Sequence, residues 1–373
     1  MNLKITKITG YQIELPLKEP FVINYATYPY MPAFILAIET DEGITGYGEA
    51  VPDEHVNGEH VNAAFEIMQH VIAPALINRN PLNINAILNR LDDLIIHNPS
   101  IKAAVDIALH DILGKKAGLP LYELLGGKTK DRLSYAKVLS VKPFEQLKDD
   151  IDVLIGQGYN VIKVKLGGDV VSDCRKLEQI LDYVDESIEV RVDCNQAWSS
   201  PKRVAQMVNQ LDYPNLMWIE QPLSYKEIEG LNYLYDHMKV PLMVDESILN
   251  VKQLVQLNIN TDLINVKLMK CGGIKAAVHI INYAEAHDIP CQIGSMVESS
   301  IGSAAGYHVA MSHHNVQSTE LTGPLLFSKE IGNLKYEIPY VYLSEAPGLG
   351  IEIDQQSLNA ITTRQFEMSE INE

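Results

Sequence analysis

A chain of 373 residues, 46% hydrophobic and 21% charged, has room for one large barrel with an appendage and is too apolar for wholesale disorder. Thirty lysines and arginines against 48 aspartates and glutamates leave a net charge of −18, which disfavours nucleic acid as a partner. No apolar run approaches the ~20 residues of a membrane span, and Met1 to Pro16 lacks the apolar block of a signal peptide. Cys174, Cys194, Cys271 and Cys291 form no CxxC pair, so a reduced, cytoplasmic chain acting on small molecules is expected.

Residues 3–15 and 33–50 alternate in the manner of strands, with Asp41-Glu42-Gly43 as a hairpin turn. Helical periodicity comes next at 58–77, 83–96 and 100–117, with Pro81 and Pro99 near two of the starts, and Gly126-Gly127 ends the block. Strands and then helices predict an α+β domain over 1–127. From Ser134 short apolar strands recur near 134–139, 161–166, 189–193, 216–220, 241–245, 262–267, 290–295 and 316–320, separated by amphipathic helices. This α/β rhythm predicts a parallel barrel over 128–329. An open doubly wound sheet is disfavoured, since Gly167-Gly168 and Gly272-Gly273 do not make a GxGxxG turn. The tail, 330–373, contains a strand-like piece at Tyr340 to Leu343 and is expected to return to the first domain, fraying from Arg364 on.

Active sites of such barrels lie at the C-terminal ends of the strands. The second strand carries Lys163 and Lys165, two residues apart and both facing inward. The third, fourth and fifth end in Asp193, Glu220 and Asp245, and the sixth in Lys267; the steps are 27, 25 and 22 residues. Three clustered carboxylates repel unless a cation joins them, and oxygen-only ligands favour Mg²⁺, with Mn²⁺ possible, over zinc. No HxH or HExxH occurs among the 11 histidines, and His313-His314 is assigned to a loop. Lys163 beside Lys165 is a like-charge pair, which should lower the proton affinity of each. Lys165 and Lys267, facing each other across a metal, could remove a proton from one face of a carbon and return it to the other. Lys270 is the competitor for the role of Lys267, but it falls beyond the strand, out of phase with Lys267, and is read as a loop charge.

At these residues the sequence resembles the enolase superfamily in its muconate lactonizing enzyme subgroup, over nearly the whole chain. The matching pieces are Gly43-Ile-Thr-Gly-Tyr-Gly-Glu49, Lys163-Val-Lys165, Asp193-Cys-Asn-Gln196, Ile219-Glu-Gln-Pro222, Asp245-Glu-Ser247 and Asn265-Val-Lys-Leu-Met-Lys-Cys-Gly-Gly273. The resemblance implies a (β/α)7β modified TIM barrel with a capping domain built from the N-terminal part and the tail. It also implies one Mg²⁺ on Asp193, Glu220 and Asp245, with Lys165 and Lys267 as the acid/base pair. Barrels of this family often assemble, so a homo-oligomer is expected.

The subgroup's reactions share proton abstraction beside a carboxylate and differ in the fate of the enediolate. Lys267 to Gly273 and Gly294-Ser-Met-Val-Glu298 look like dipeptide epimerases, in which an Asp-x-Asp pair ends the eighth strand and holds the substrate ammonium. This chain has Glu320-Leu321-Thr322 and then Gly323-Pro-Leu-Leu326, an ending closer to the cycloisomerases. The expected reaction is Mg-dependent epimerisation of an L-Ala-Xaa type dipeptide at the carbon next to its terminal carboxylate. Lys163 would stabilise that carboxylate, Glu320 and Thr322 would hold the ammonium, and the backbone near Ser295 would position the peptide link. Alternatives are a muconate cycloisomerase, an N-succinylamino acid racemase or an o-succinylbenzoate synthase. A Schiff-base aldolase leaves the three carboxylates without a reason. The segment Phe21 to Tyr30, aromatic and free of lysine and arginine, should cover the pocket mouth and favour an apolar or mixed second residue.

Overall fold

The computed structural model of the protein describes residues 3–23, 26–256 and 258–370. The N-terminal part is an antiparallel sheet in the order Thr362–Ser369, Ile5–Val22, Thr27–Thr40, Thr45–Ala50. Along Thr27–Thr40 the pleat sends alternate side chains to opposite faces. Phe34, Leu36 and Ile38 pack on the helices of the cap, while Ala33, Ile35 and Ala37 join the core that runs into the barrel. Burial on both faces explains why Ala33 to Ile38 is one continuous apolar run rather than an alternating one.

The helix Pro99–Ala117 crosses the strand Thr45–Ala50 so closely that only glycine fits at two positions. A Cβ on Gly46 would lie 2.3 Å from the Ala108 carbonyl oxygen, and one on Gly48 would lie 1.8 Å from that of Ala104. The Gly-Tyr-Gly stretch is therefore a packing requirement of the cap.

Eight parallel strands come next in sequential order: Lys137–Leu139, Val161–Lys165, Glu189–Asp193, Leu216–Glu220, Leu242–Val244, Leu263–Val266, Cys291–Ile293 and Val316–Thr319. Helical crossovers join each to the next, which makes the domain a (β/α)7β modified TIM barrel. The first and eighth strands meet through one bridge, Tyr135 to Thr319. The four cysteines are buried free thiols, and no helix among the described residues is long and apolar enough to cross a membrane.

The tail departs from expectation in two ways. Tyr340–Tyr342 pairs with Lys335–Glu337 and with Leu133–Ser134 at the start of the barrel, not with the cap. Thr362–Ser369 does not fray; it is the edge strand of the capping sheet, and its Phe366 packs edge-on against Phe65 at 5.5 Å. An edge strand with one buried face needs few apolar residues, so its sequence looks like a polar terminus.

Candidate active site

The barrel register sets the site. Lys165 pairs with Asp193 and Asp193 with Glu220, so one level of the barrel carries an ammonium and two carboxylates on three adjacent strands. Asp245, Lys267 and Glu320 stand one residue past the ends of the fifth, sixth and eighth strands. Alternation points Lys163 and Lys165 to the same, inner side.

The charges interlock. Lys163 Nζ donates to Glu220 Oε2 at 2.7 Å and Glu320 Oε2 at 2.8 Å, and lies 3.0 Å from Asp193 Oδ2. Lys165 Nζ donates to Asp193 Oδ2 at 2.6 Å and Asn195 Oδ1 at 2.9 Å. Lys267 Nζ is 2.7 Å from Asp245 Oδ2. Asn265 Nδ2 donates to Glu220 Oε1 at 2.8 Å. Burial pushes Asp193 up, yet Lys163 and Lys165 outweigh it and hold the carboxyl below its ordinary range. Asp245 is likewise raised by burial and held low by Lys267 and Lys270. Glu220 is raised well above the ordinary range by burial and by the neighbouring Asp193.

Two expectations about the lysines are overturned. Burial alone would weaken the Lys163 ammonium, but Asp193, Glu220 and Glu320 together raise its proton affinity well above that of an ordinary lysine. The like-charge neighbour Lys165 does not set its state, because three carboxylates surround it. Lys270 is not a loop charge. The strand stops at Val266, and Leu268–Cys271 make one helical turn that brings Lys270 back inside, where it is 1% exposed. Its Nζ donates to Asp245 Oδ1 at 2.7 Å, to the Asp245 carbonyl at 2.6 Å and to the Asn265 carbonyl at 2.8 Å.

Lys163, Lys165, Lys267, Ser295, Glu320 and Thr322 line one cavity of ≈ 70 Å³ between cap and barrel. Asp193, Glu220 and Asp245 lie buried against its three lysines. The Ser295 hydroxyl is engaged, donating to Glu298 Oε2 at 2.6 Å and accepting from the Val297 N–H at 2.8 Å. From the cap come Phe21, Ile23, Tyr28 and Met31. Asn24 and Tyr25 of the expected mouth segment lie outside the described residues.

Sequence reasoning missed three lining residues. Asn195 and Glu246 meet through Asn195 Nδ2 and Glu246 Oε1 at 3.2 Å, and burial next to Asp245 pushes the Glu246 carboxyl up to about 7. Asp53, from the cap, accepts from the Tyr28 hydroxyl at 2.8 Å and from the backbone N–H groups of His55 and Val56. The acidic pair Asp53-Glu54 beside His55 was the available signal.

Among the described residues, the one group of acids, histidines or cysteines whose donor atoms all lie within 4.8 Å of one another is Asp53, Glu54 and His55. Asp193, Glu220 and Asp245 stand further apart, each closed on a lysine.

A barrel of this topology, capped by its own termini and carrying acids and lysines at consecutive strand ends, defines a proton-transferring isomerase. Residues 6–126 match the mandelate racemase/muconate lactonizing enzyme N-terminal domain, and residues 146–357 match the enolase C-terminal domain-like family. The chain belongs to the enolase superfamily and is one of its racemase- and epimerase-type isomerases. It is 43% identical to the N-succinyl-L-Arg/Lys racemase of Bacillus cereus, over 97% of this chain and 99% of that protein. The crystal structure of the racemase superimposes with a TM-score of 0.95 over 98% of this chain and all (100%) of that one. The L-Ala-D/L-Glu epimerase of Bacillus subtilis is 33% identical over 94% of this chain and 97% of that one. A dipeptide epimerase from Cytophaga hutchinsonii, crystallised with Mg and D-Ala-L-Val, is 30% identical with a TM-score of 0.92, over 98% and 99% of the two chains.

Proposed function

We propose that the protein racemises N-acylated amino acids with a cationic side chain, of the N-succinyl-arginine or -lysine kind. The observation that carries this reading is the acidic wall of the cavity. Asp53 lines it, and behind Asp53 a chamber of ≈ 230 Å³ is lined by Glu14, Asp53 and Glu54, with no lysine or arginine among the described lining residues. A guanidinium or ammonium entering there finds opposite charge in the buried Asp53 and the exposed Glu14 and Glu54. The name of the Bacillus cereus relative supports the same substrate class. An apolar or mixed second residue, expected from Phe21 to Tyr30, gives no use to Asp53.

Lys165 and Lys267 stand on the second strand and at the end of the sixth, half a circuit apart in an eight-stranded barrel. An α-carbon between them presents one face to each. The lysine on one face takes the α-proton while the ammonium on the other returns one, which inverts the centre and is reversible. Lys163, held by three carboxylates, stays charged and faces the substrate carboxylate. Asp193, Glu220 and Asp245 are an all-oxygen donor set of the kind Mg²⁺ takes, and we assign them as its ligands. Such an ion would offset both the charge that grows on the substrate carboxylate and the carboxylate charge that now raises Lys163 and Lys267.

A dipeptide epimerase is the second reading, favoured by the buried Glu320 Oε1, which has no hydrogen-bond partner among the described residues and could accept from an α-ammonium. It ranks lower because Glu320 already neutralises Lys163 through its other oxygen. Incubation with Mg²⁺ in D₂O separates the two. Deuterium should enter the α-position of N-succinyl-arginine and N-acetyl-arginine; exchange confined to dipeptides would replace this reading by the second.

A further inference from the structure

The barrel is not closed evenly. Its first and eighth strands share the bridge Tyr135 to Thr319, supported by the Ala136 N–H donating to the Thr319 carbonyl at 3.3 Å. Beyond that level the chain after Thr319 turns into Gly323–Leu326, while Lys137–Leu139 runs on beside the second strand. The seam between them is occupied by a cavity of ≈ 320 Å³. Its walls include Phe21, Val138, Thr322 and Leu326, and the same four residues wall the reaction cavity. The seam cavity therefore adjoins the reaction cavity across these four side chains.

The two ends of the site differ in sign. On the Asp53 side the chamber is acidic. In the seam, Lys18, Lys137 and Lys142 face Glu19 and Asp150. Lys142 is used locally, since its Nζ donates to Asp150 Oδ2 at 2.7 Å. Lys18 Nζ has one acceptor, the Leu325 carbonyl at 3.0 Å, which leaves two of its three protons free of protein acceptors among the described residues. Lys137 is the unusual one. It is half-buried on the seam wall, and its ammonium has no hydrogen-bond or ion-pair partner among the described residues. Burial, and then the charge of Lys18, lower its proton affinity, with Glu19 opposing them. A half-buried cation with no protein acceptor among the described residues, facing a cavity, is open to a bound anion.

We propose that the seam cavity is an anion subsite, in which Lys137, assisted by Lys18, holds the distal carboxylate of a dicarboxylic N-acyl group such as succinyl. The inference rests on the N-acyl amino acid reading of the site and deepens it, because it states which acyl groups the enzyme prefers and why. A succinyl chain reaches roughly 5–6 Å from the amide nitrogen to its carboxylate, by ordinary bond lengths. Val138 pairs with Lys163 and shares its inner face, whereas Lys137, one residue earlier, pairs with Ile162 and faces the other side, so such a chain would meet Lys137 by passing through the seam beside Val138. The substrate would then lie across the site with its cationic side chain at Asp53 and its acyl carboxylate in the seam.

The test compares two acyl groups on one amino acid. For N-succinyl-arginine, Lys137→Met should lower kcat/KM about 10- to 100-fold, mostly through KM, as expected for loss of one charge-assisted contact. N-acetyl-arginine, which has no distal carboxylate, should change less than about twofold, which also shows that the variant is folded. Lys137→Arg should restore most of the N-succinyl activity, and Lys18→Met should show a smaller loss of the same kind. An unchanged N-succinyl rate in Lys137→Met, or equal losses for both substrates, overturns the subsite while leaving the racemase reading standing. Failure of the unaltered enzyme to exchange the α-proton of either N-acyl compound overturns both.

Discussion

Lys270 holds Asp245 by both ends, donating to its side chain at 2.7 Å and to its carbonyl at 2.6 Å from a position wholly inside the protein. The contact fixes a carboxylate assigned to the metal and neutralises charge that would otherwise stand beside Glu246. Lys270→Met should therefore destabilise the protein by about 3–5 kcal/mol, as removal of one partner of a buried pair does. Chemical denaturation measures this, and Mg²⁺ titration of the variant should show weakened binding. A loss within about 0.5 kcal/mol would mean that the Lys270–Asp245 contact adds little to stability.

Replacing Lys165 or Lys267 with Ala should stop racemisation, yet each variant should still exchange the α-proton of one enantiomer. The two variants should choose opposite enantiomers, because their lysines stand on opposite sides of the barrel. Complete loss of exchange for both enantiomers in both variants would contradict the two-base assignment.

Chelation should abolish turnover without unfolding the chain, since the barrel core is built from apolar side chains. Asp193→Asn, Glu220→Gln and Asp245→Asn should each cost at least about 100-fold in activity, given the several kcal/mol that metal assistance supplies. Circular dichroism in chelator, compared with Mg²⁺-loaded protein, checks that the fold persists.

Asp53→Asn keeps the size of the side chain and its contacts with Tyr28 and the local backbone, and removes the charge. The kcat/KM for N-succinyl-arginine should fall about 10- to 100-fold, with a smaller effect on an N-acyl alanine. Equal effects on both would show that Asp53 shapes the loop rather than reading the side chain.

His308 offers a stability prediction away from the site. It is buried in the helix Ser300–Ser312, with Nδ1 accepting from the Tyr122 N–H at 3.1 Å and Nε2 facing the Leu349 carbonyl at 3.1 Å. These partners require the neutral ring, and burial lowers its proton affinity, to a pKa of about 4. Below the ordinary histidine value of about 6.5 the unfolded chain takes up a proton that the folded one refuses, so stability falls as the pH drops from there towards 4. The loss attributable to His308 is about 3–4 kcal/mol at ~1.4 kcal/mol per pH unit. His308→Gln, which keeps one acceptor and one donor, should flatten the dependence measured by denaturation between pH 7 and 5.

The features legible in the sequence are those that depend on neighbours along the chain. Strand and helix periods are local, so the barrel rhythm, the inward direction of Lys163 and Lys165 and the placing of Asp193, Glu220, Asp245 and Lys267 at strand ends come from spacing alone. Burial of a strand on both faces leaves an apolar run in which each charge stands out.

Only the tertiary structure decided the rest. Lys270 looked like a loop charge because its direction depends on a single helical turn after a short strand, closed by Gly272 and Gly273 in positive φ. The state of Lys163 could not be read from Lys165, because two of its three carboxylate partners lie 57 and 157 residues away. Thr362–Ser369 carries few apolar residues and gains its pairing from Ile5–Val22 at the other end of the chain. Asp53 and the seam at Lys137 acquire meaning only when the cap is laid over the barrel, since local propensity carries no information about which distant surfaces meet.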